Sequence, residues 1–172
     1  GDELESKETV LKSIPVSKVV AMKNNDTSNF NPNVLKIIAK NIVEKTNPDK
    51  IIIPKTSVGQ DLATRLAYCL DQGIVNDCLN IEYNDGEWLG LRPVFGGNYL
   101  AKVNINTNVE IYCVRTKIFD EQNSNLISPE IEYFENELEY KTNSHIVDRS
   151  QEQSEGLRLE DAEVVVAGGR GL

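Results

Sequence analysis

The chain holds one histidine, three cysteines, fewer basic than acidic residues and no long apolar run. Each scarcity removes a class of function. His145, the lone histidine, lies in the polar stretch 143–156, which reads as a connection across the surface. No second base stands beside it, so it supports neither a nucleophile–base triad nor a metal site. Cys69, Cys78 and Cys113 are odd in number and include no Cys-x-x-Cys pair. They give no disulfide framework and no metal-ligand spacing, so a reducing compartment is expected. Cys69 and Cys113 read as small core residues. Lys and Arg number 18 against 27 Asp and Glu, for a net charge of −9. That balance argues against nucleic-acid binding, which needs a basic surface. It fits plain solubility, or a basic partner. No apolar run approaches the ~20 residues that span a bilayer, and no secretory signal is recognised. The chain opens at Gly1-Asp2 without Met, so the true start is expected to be missing.

What is present fits one domain with a real core, since the chain has 172 residues and is 40% hydrophobic. Its organising stretch is 51–70. Ile51, Ile52 and Ile53 form an unbroken apolar run, which reads as a strand buried on both faces of a parallel sheet. Pro54 ends that strand because it has no N–H to donate. Residues 55–59 read as a polar turn, and from Gln60 the recurrence of Leu62, Leu66, Cys69 and Leu70 predicts a helix. Strand, turn and helix make the half-unit of a doubly wound domain, whose ligand crevice lies beyond the carboxyl ends of the strands. Thr56, Ser57 and Gly59 stand where that crevice is expected.

Before this unit, residues 2–14 predict an acidic-fronted helix with Leu4, Val10, Leu11 and Ile14 as a weak apolar stripe, and 18–22 predict a strand. Asn31-Pro32 is a helix start, with Asn as cap and Pro at the first helical position. The helix 32–46 carries Leu35, Ile38, Ile42 and Val43 on one face. The order helix, strand, helix, strand, helix points to a parallel sheet with right-handed crossovers. After it come strands 77–83, 87–93, 99–105 and 109–115, the first pair joined by the hairpin signal Asn84-Asp85-Gly86. A further strand, 131–137, bears charge at alternate positions, as an edge strand does. The fold class is therefore α/β: doubly wound, a mainly parallel sheet with appended antiparallel strands.

Two motifs carry chemical information. The apolar run 164–167 reads as a buried strand leading into Gly168-Gly169-Arg170-Gly171. Glycine lets backbone approach a ligand, and arginine offers a planar fork suited to a phosphate or a flavin ring edge. The spacing is neither Gly-x-Gly-x-x-Gly nor a P-loop, and a Gly-rich turn after a strand is often only a turn. In the second motif, Arg92 in RPVFGGN and Arg115 in CVRT either pair with carboxylates or point toward a partner. The plainer reading is a hairpin bend and a satisfied surface arginine. No nucleophile sits beside a base, so spacing gives no catalytic residue and no hydrolase or transferase mechanism.

Together the blocks IIIPKTSVGQDLATRLAYCL, Asp77-Cys78, RPVFGGNYLAKV, VRTKIF and LEDAEVVVAGGRGL resemble the alpha subunit of the electron-transfer flavoproteins, from about Ser17 to Leu172. The resemblance implies an N-terminal α/β domain, related to adenine-nucleotide α-hydrolase and universal-stress folds, followed by a C-terminal domain that carries most of an FAD site. On that basis residues 1–163 form the N-terminal domain and 164–172 begin the junction with the flavin domain. The resemblance also implies a beta subunit as heterodimer partner. Electrons would arrive from flavin dehydrogenases such as acyl-CoA dehydrogenases and leave to a membrane-bound quinone reductase. By correspondence Arg170 contacts FAD, with Gly168, Gly169 and Gly171 shaping its turn. The chain departs from the family at both ends: an initial strand, helix and strand, and the flavin domain, have no counterpart. It is therefore expected to bind FAD poorly alone and to serve as scaffold and subunit interface. The expected compartment is the cytoplasm, or the mitochondrial matrix if the source is eukaryotic. A different reading stays open, in which a free-standing module of this fold binds a nucleotide or a partner without flavin.

Overall fold

Two helices owe their ends to single polar residues. In the computed structural model, which describes residues 7–23, 31–119, 129–135, 147–148, 150, 162–169 and 171, α2 spans Pro32–Thr46 as the sequence predicts. The Asn31 side chain accepts hydrogen bonds from the backbone N–H of Asn33 (3.0 Å) and Val34 (3.4 Å), meeting two of the donors that a helix start leaves unpaired. Left-handed Asn47 ends the helix. α3 spans Ser57–Leu70 and begins three residues earlier than its apolar periodicity indicates. Thr56 is its cap, with Oγ1 accepting from the Gly59 N–H at 2.9 Å. Residues that read as a polar turn are thus the first turn of helix. Gly59 is buried, and a Cβ there would lie 2.0 Å from the Pro54 carbonyl oxygen. Only glycine lets α3 start so close to the strand before it.

α1 is short, Glu8–Lys12, and buries none of its residues. Of the expected stripe, Val10 is 62% exposed and Ile14 is exposed, while Leu11 is half-buried. Residues 2–6 of that predicted helix lie outside the described residues.

The strands, β1 Lys18–Lys23, β2 Lys50–Pro54, β3 Ile74–Cys78, β4 Asn80–Asn84, β5 Glu87–Val94, β6 Tyr99–Asn104, β7 Glu110–Val114 and β8 Glu130–Glu135, form three sheets. β2, β7 and β3 make a parallel sheet in that order. β4, β5 and β6 make an antiparallel meander. β1 and β8 form a separate parallel pair. The α/β class, with parallel and antiparallel sheets, is as the sequence indicates. Three pairings differ from it. The 109–115 strand, grouped with the antiparallel set, is the centre of the parallel sheet. β1 pairs with β8, not with β2. The 77–83 strand is two strands, because left-handed Asp77 (φ 65°) breaks the register between Val75 and Cys78. One residue later the Leu79 N–H donates to the Leu91 carbonyl at 2.7 Å, so the chain passes from one sheet to the other within a single residue. The expected hairpin is present, with Asp85 (φ 51°) and Gly86 (φ 90°) as its two loop residues.

Burial follows from this layering. β7 alternates: Ile111 and Cys113 pack with Ile53, Ala63, Leu66 and Ala67 under the helices. Tyr112 and Val114 face the other way and pack with Val75, Cys78 and Ile105 beneath the meander, against Ile81, Trp88 and Val103. Close approach of the meander depends on Gly90, whose missing Cβ would stand 3.0 Å from Val75 Cγ1. So β7 is the strand buried on both faces, a role the sequence assigned to 51–53. In β2, Ile53 is 8% exposed but Ile52 is 64% exposed. β2 sits at the sheet edge, beyond the cover of the meander. Residues 164–167 also differ from expectation. The structure assigns them no strand, and Val164, Val165 and Val166 are exposed. An apolar run becomes a strand only where a neighbour completes its hydrogen bonds.

Candidate functional site

Parallel register brings the ends of three strands together. Pro54, Val114 and Cys78 are aligned across β2, β7 and β3. The next residues continue the alignment: the Lys55 N–H donates to the Val114 carbonyl (2.6 Å), and the Arg115 N–H donates to the Cys78 carbonyl (2.9 Å). Lys55, Arg115 and Asp77 therefore meet at the carboxyl edge of the sheet, where open α/β sheets place their ligand crevices.

Their side chains form one ionic cluster. Asp77 Oδ1 accepts from Arg115 Nε at 2.7 Å and from Lys55 Nζ at 2.5 Å, and Oδ2 accepts from Arg115 Nη2 at 3.0 Å. The Asp77 side chain is 22% exposed and that of Arg115 44%. The Arg115 guanidinium first, and the Lys55 ammonium with it, hold the Asp77 carboxyl well below the usual carboxylate range, against the opposing effect of burial. Reciprocally, the hydrogen bond to Asp77 raises the Arg115 pKa.

Beside the cluster lies a cavity of about 480 Å³, lined by Asp77 and Arg115 and by the segment from Arg92 to Gly97. Arg92 Nε is buried and has no hydrogen-bond partner. The turn after β5 is wound left-handed at three successive residues, Phe95 (φ 50°), Gly96 (φ 69°) and Gly97 (φ 91°). Glycine adopts this readily, whereas Phe95 is strained there. The Phe95 ring stands 80% exposed, edge-on to Tyr99 with centroids 5.9 Å apart.

Nothing in this arrangement supplies a nucleophile. Burial, with Cys113 next to it, pushes the Cys78 thiol up to about 11, and burial also raises Cys113, so both stay protonated near neutrality. The two are core residues, and Cys69 is half-buried. Among the described residues, no group of His, Cys, Asp and Glu could hold a metal ion. No helix there is long and apolar enough to cross a membrane.

The residues singled out in the sequence divide into three groups. Arg92 and Arg115 line one cavity, Arg115 pairing with a carboxylate and Arg92 with none. Thr56 and Gly59 do stand at the end of β2, but the Thr56 hydroxyl is committed to capping and Gly59 to close packing. His145 and Arg170 lie outside the described residues. Gly168, Gly169 and Gly171 are exposed, and a Cβ at Gly169 or Gly171 would meet nothing within 4 Å. Sequence reasoning missed Lys55 and the role of Asp77. Each follows or ends a strand, but their meeting requires knowing that β7 lies between β2 and β3.

Fold and site together define an α/β domain with a cationic crevice at the carboxyl edge of a parallel sheet and no catalytic constellation among the described residues. Residues 1–138 match the electron transfer flavoprotein domain model, and the chain belongs to that family. It is similar to the electron transfer flavoprotein subunit alpha of Clostridium acetobutylicum, at 28% identity over 182 residues, covering 100% of this chain and 53% of the relative. The Bacillus subtilis electron transfer flavoprotein subunit alpha is 24% identical over 174 residues, with 100% and 53% covered. Subunit LctC of the lactate dehydrogenase (NAD(+),ferredoxin) of Acetobacterium woodii is 28% identical over 175 residues, with 100% and 42% covered. The chain spans about half the length of these relatives.

Proposed function

We propose that this chain is the N-terminal domain, residues 1–163 with the junction 164–172, of an alpha-type electron-transfer flavoprotein subunit. Its role is scaffold and subunit interface in a carrier that performs no bond chemistry of its own. The observation that carries this reading is the family match over residues 1–138 together with alignment of the whole chain to about half of alpha subunits. In the intact carrier FAD is the redox group, and the protein binds it, tunes it and presents it to partners. Those partners are a beta subunit and flavin dehydrogenases such as acyl-CoA dehydrogenases, in the cytoplasm or, in a eukaryote, the mitochondrial matrix.

Affinity capture of the tagged protein from its own cells, followed by mass spectrometry, tests the pairing. Recovery of a beta-type subunit in equal amount is expected, and its absence refutes the interface role. In the flavin-bearing carrier, Arg170→Ala is expected to weaken flavin binding or shift its potential. Unchanged affinity and potential would remove Arg170, and with it Gly168, Gly169 and Gly171, from the site.

A further inference from the structure

We propose that the cavity between Arg92 and Arg115 is a binding site for a phosphate-class oxyanion, a role independent of the flavoprotein reading. Three features of the cavity point the same way. First, its charge is unbalanced. Among the described residues Asp77 is the only carboxylate lining it, and it already receives Arg115 on both oxygens and Lys55 on one. Arg92, which also lines it, brings a second guanidinium with no ion-pair partner among the described residues.

Second, a buried donor is left without an acceptor. The Arg92 Nε–H is shielded from water and unpaired, an arrangement that costs free energy unless something accepts from it. Arg92 also lines the cavity, which has room for several heavy atoms beside its guanidinium-bearing side chain. A tetrahedral oxyanion suits the geometry, because a guanidinium presents two parallel N–H groups to two oxygens.

Third, the backbone leaves the approach open. At Gly96 and Gly97 a Cβ would meet nothing within 4 Å, so a ligand can lie directly against the turn. The left-handed path through Phe95 is the kind of held strain that clusters at ligand sites. Arg115, tied in place by Asp77, is pre-oriented, which limits the entropy lost on binding.

Phosphate can arrive free or as part of a nucleotide, and titrations of the full chain separate the two. The probes are inorganic phosphate, adenosine 5′-monophosphate and adenosine. The readout is the Arg92 Nε–H resonance in ¹⁵N-labelled protein, with calorimetry alongside. Inorganic phosphate is expected to move that resonance and to bind at about millimolar strength. Arg92→Gln, which breaks no pairing among the described residues, is expected to weaken binding by about tenfold or more with an unchanged melting temperature. Should R92Q fold poorly, Arg92→Lys keeps the charge without the fork and is expected to weaken binding while remaining folded. Equal affinity for phosphate and the nucleotide identifies the free anion as ligand. Nucleotide binding tightened to micromolar, with adenosine alone inert, identifies a nucleotide phosphate and favours the free-standing nucleotide module over the carrier domain. The proposal is overturned if neither phosphate nor nucleotide moves the Arg92 resonance, or if the Arg92 variants bind as the parent does.

Discussion

Replacing Asp77 with Asn removes the charge on which two cations converge while keeping the shape of the side chain and, since Asn tolerates the left-handed region, the backbone at φ 65°. Three charge-assisted hydrogen bonds become weak or are lost, and Lys55 and Arg115 are left facing each other without their anion. A hydrogen bond to a charged group contributes about 1.5–3 kcal/mol. Arg115 is 44% exposed, and solvent screening reduces its share to that of a surface pair, below about 1 kcal/mol. The net expectation for D77N is a loss of about 1–2 kcal/mol, or about 2–8 °C in melting temperature for a domain of this size. The loss must also depend on pH in one direction. The folded Asp77 pKa is depressed from its ordinary 3.8. Its stabilisation is therefore fully present above about pH 4 and disappears as pH falls through the depressed value. Urea unfolding of both proteins from pH 7 down to the acid limit of folding measures the gap. It should be constant between pH 7 and 5 and should narrow steadily below about pH 4. Equal stability at pH 7, or a gap that does not narrow in acid, would refute the reasoning.

Gly59→Ala places a methyl group 2.0 Å from a backbone carbonyl. Overpacking of side chains alone costs about 1–3 kcal/mol, and here backbone must move, so a loss of about 3 kcal/mol or more is expected in urea unfolding. A loss below about 1 kcal/mol would mean that α3 does not start where the Thr56 cap puts it. Adjacent residues of β2 should behave oppositely: Ile53→Ala is expected to cost about 2–4 kcal/mol, and Ile52→Thr no more than about 0.5 kcal/mol. Similar costs at the two positions would contradict the edge placement of β2.

Local signals were the readable part of this sequence. Asn31-Pro32 marks the start of α2 because capping acts over three residues, and Asn84-Asp85-Gly86 marks the β4–β5 hairpin because its two loop residues must be left-handed. Sheet order was not readable, since it is decided between residues far apart. The run Ile51–Ile53 looks more deeply buried than the β7 sequence EIYCV, yet β7 lies at the centre because it pairs with both β2 and β3. The ionic cluster was hidden for that reason too: Lys55, Asp77 and Arg115 are 22 and 38 residues apart and meet only through that pairing. Arg92 and Arg115 read in the sequence as arginines on strands, while the cavity joining them depends on the turn at Phe95. At 164–167 apolar composition misled, because composition cannot supply a neighbouring strand.

The most direct test of the carrier reading is the visible absorption spectrum and intact mass of the protein isolated from its own cells. A yellow species well above 19.2 kDa, accompanied by a second subunit, is the expected result. A colourless species near 19.2 kDa would contradict it, and would turn attention to the crevice at the end of β2 and β7 as the working site of a free-standing module.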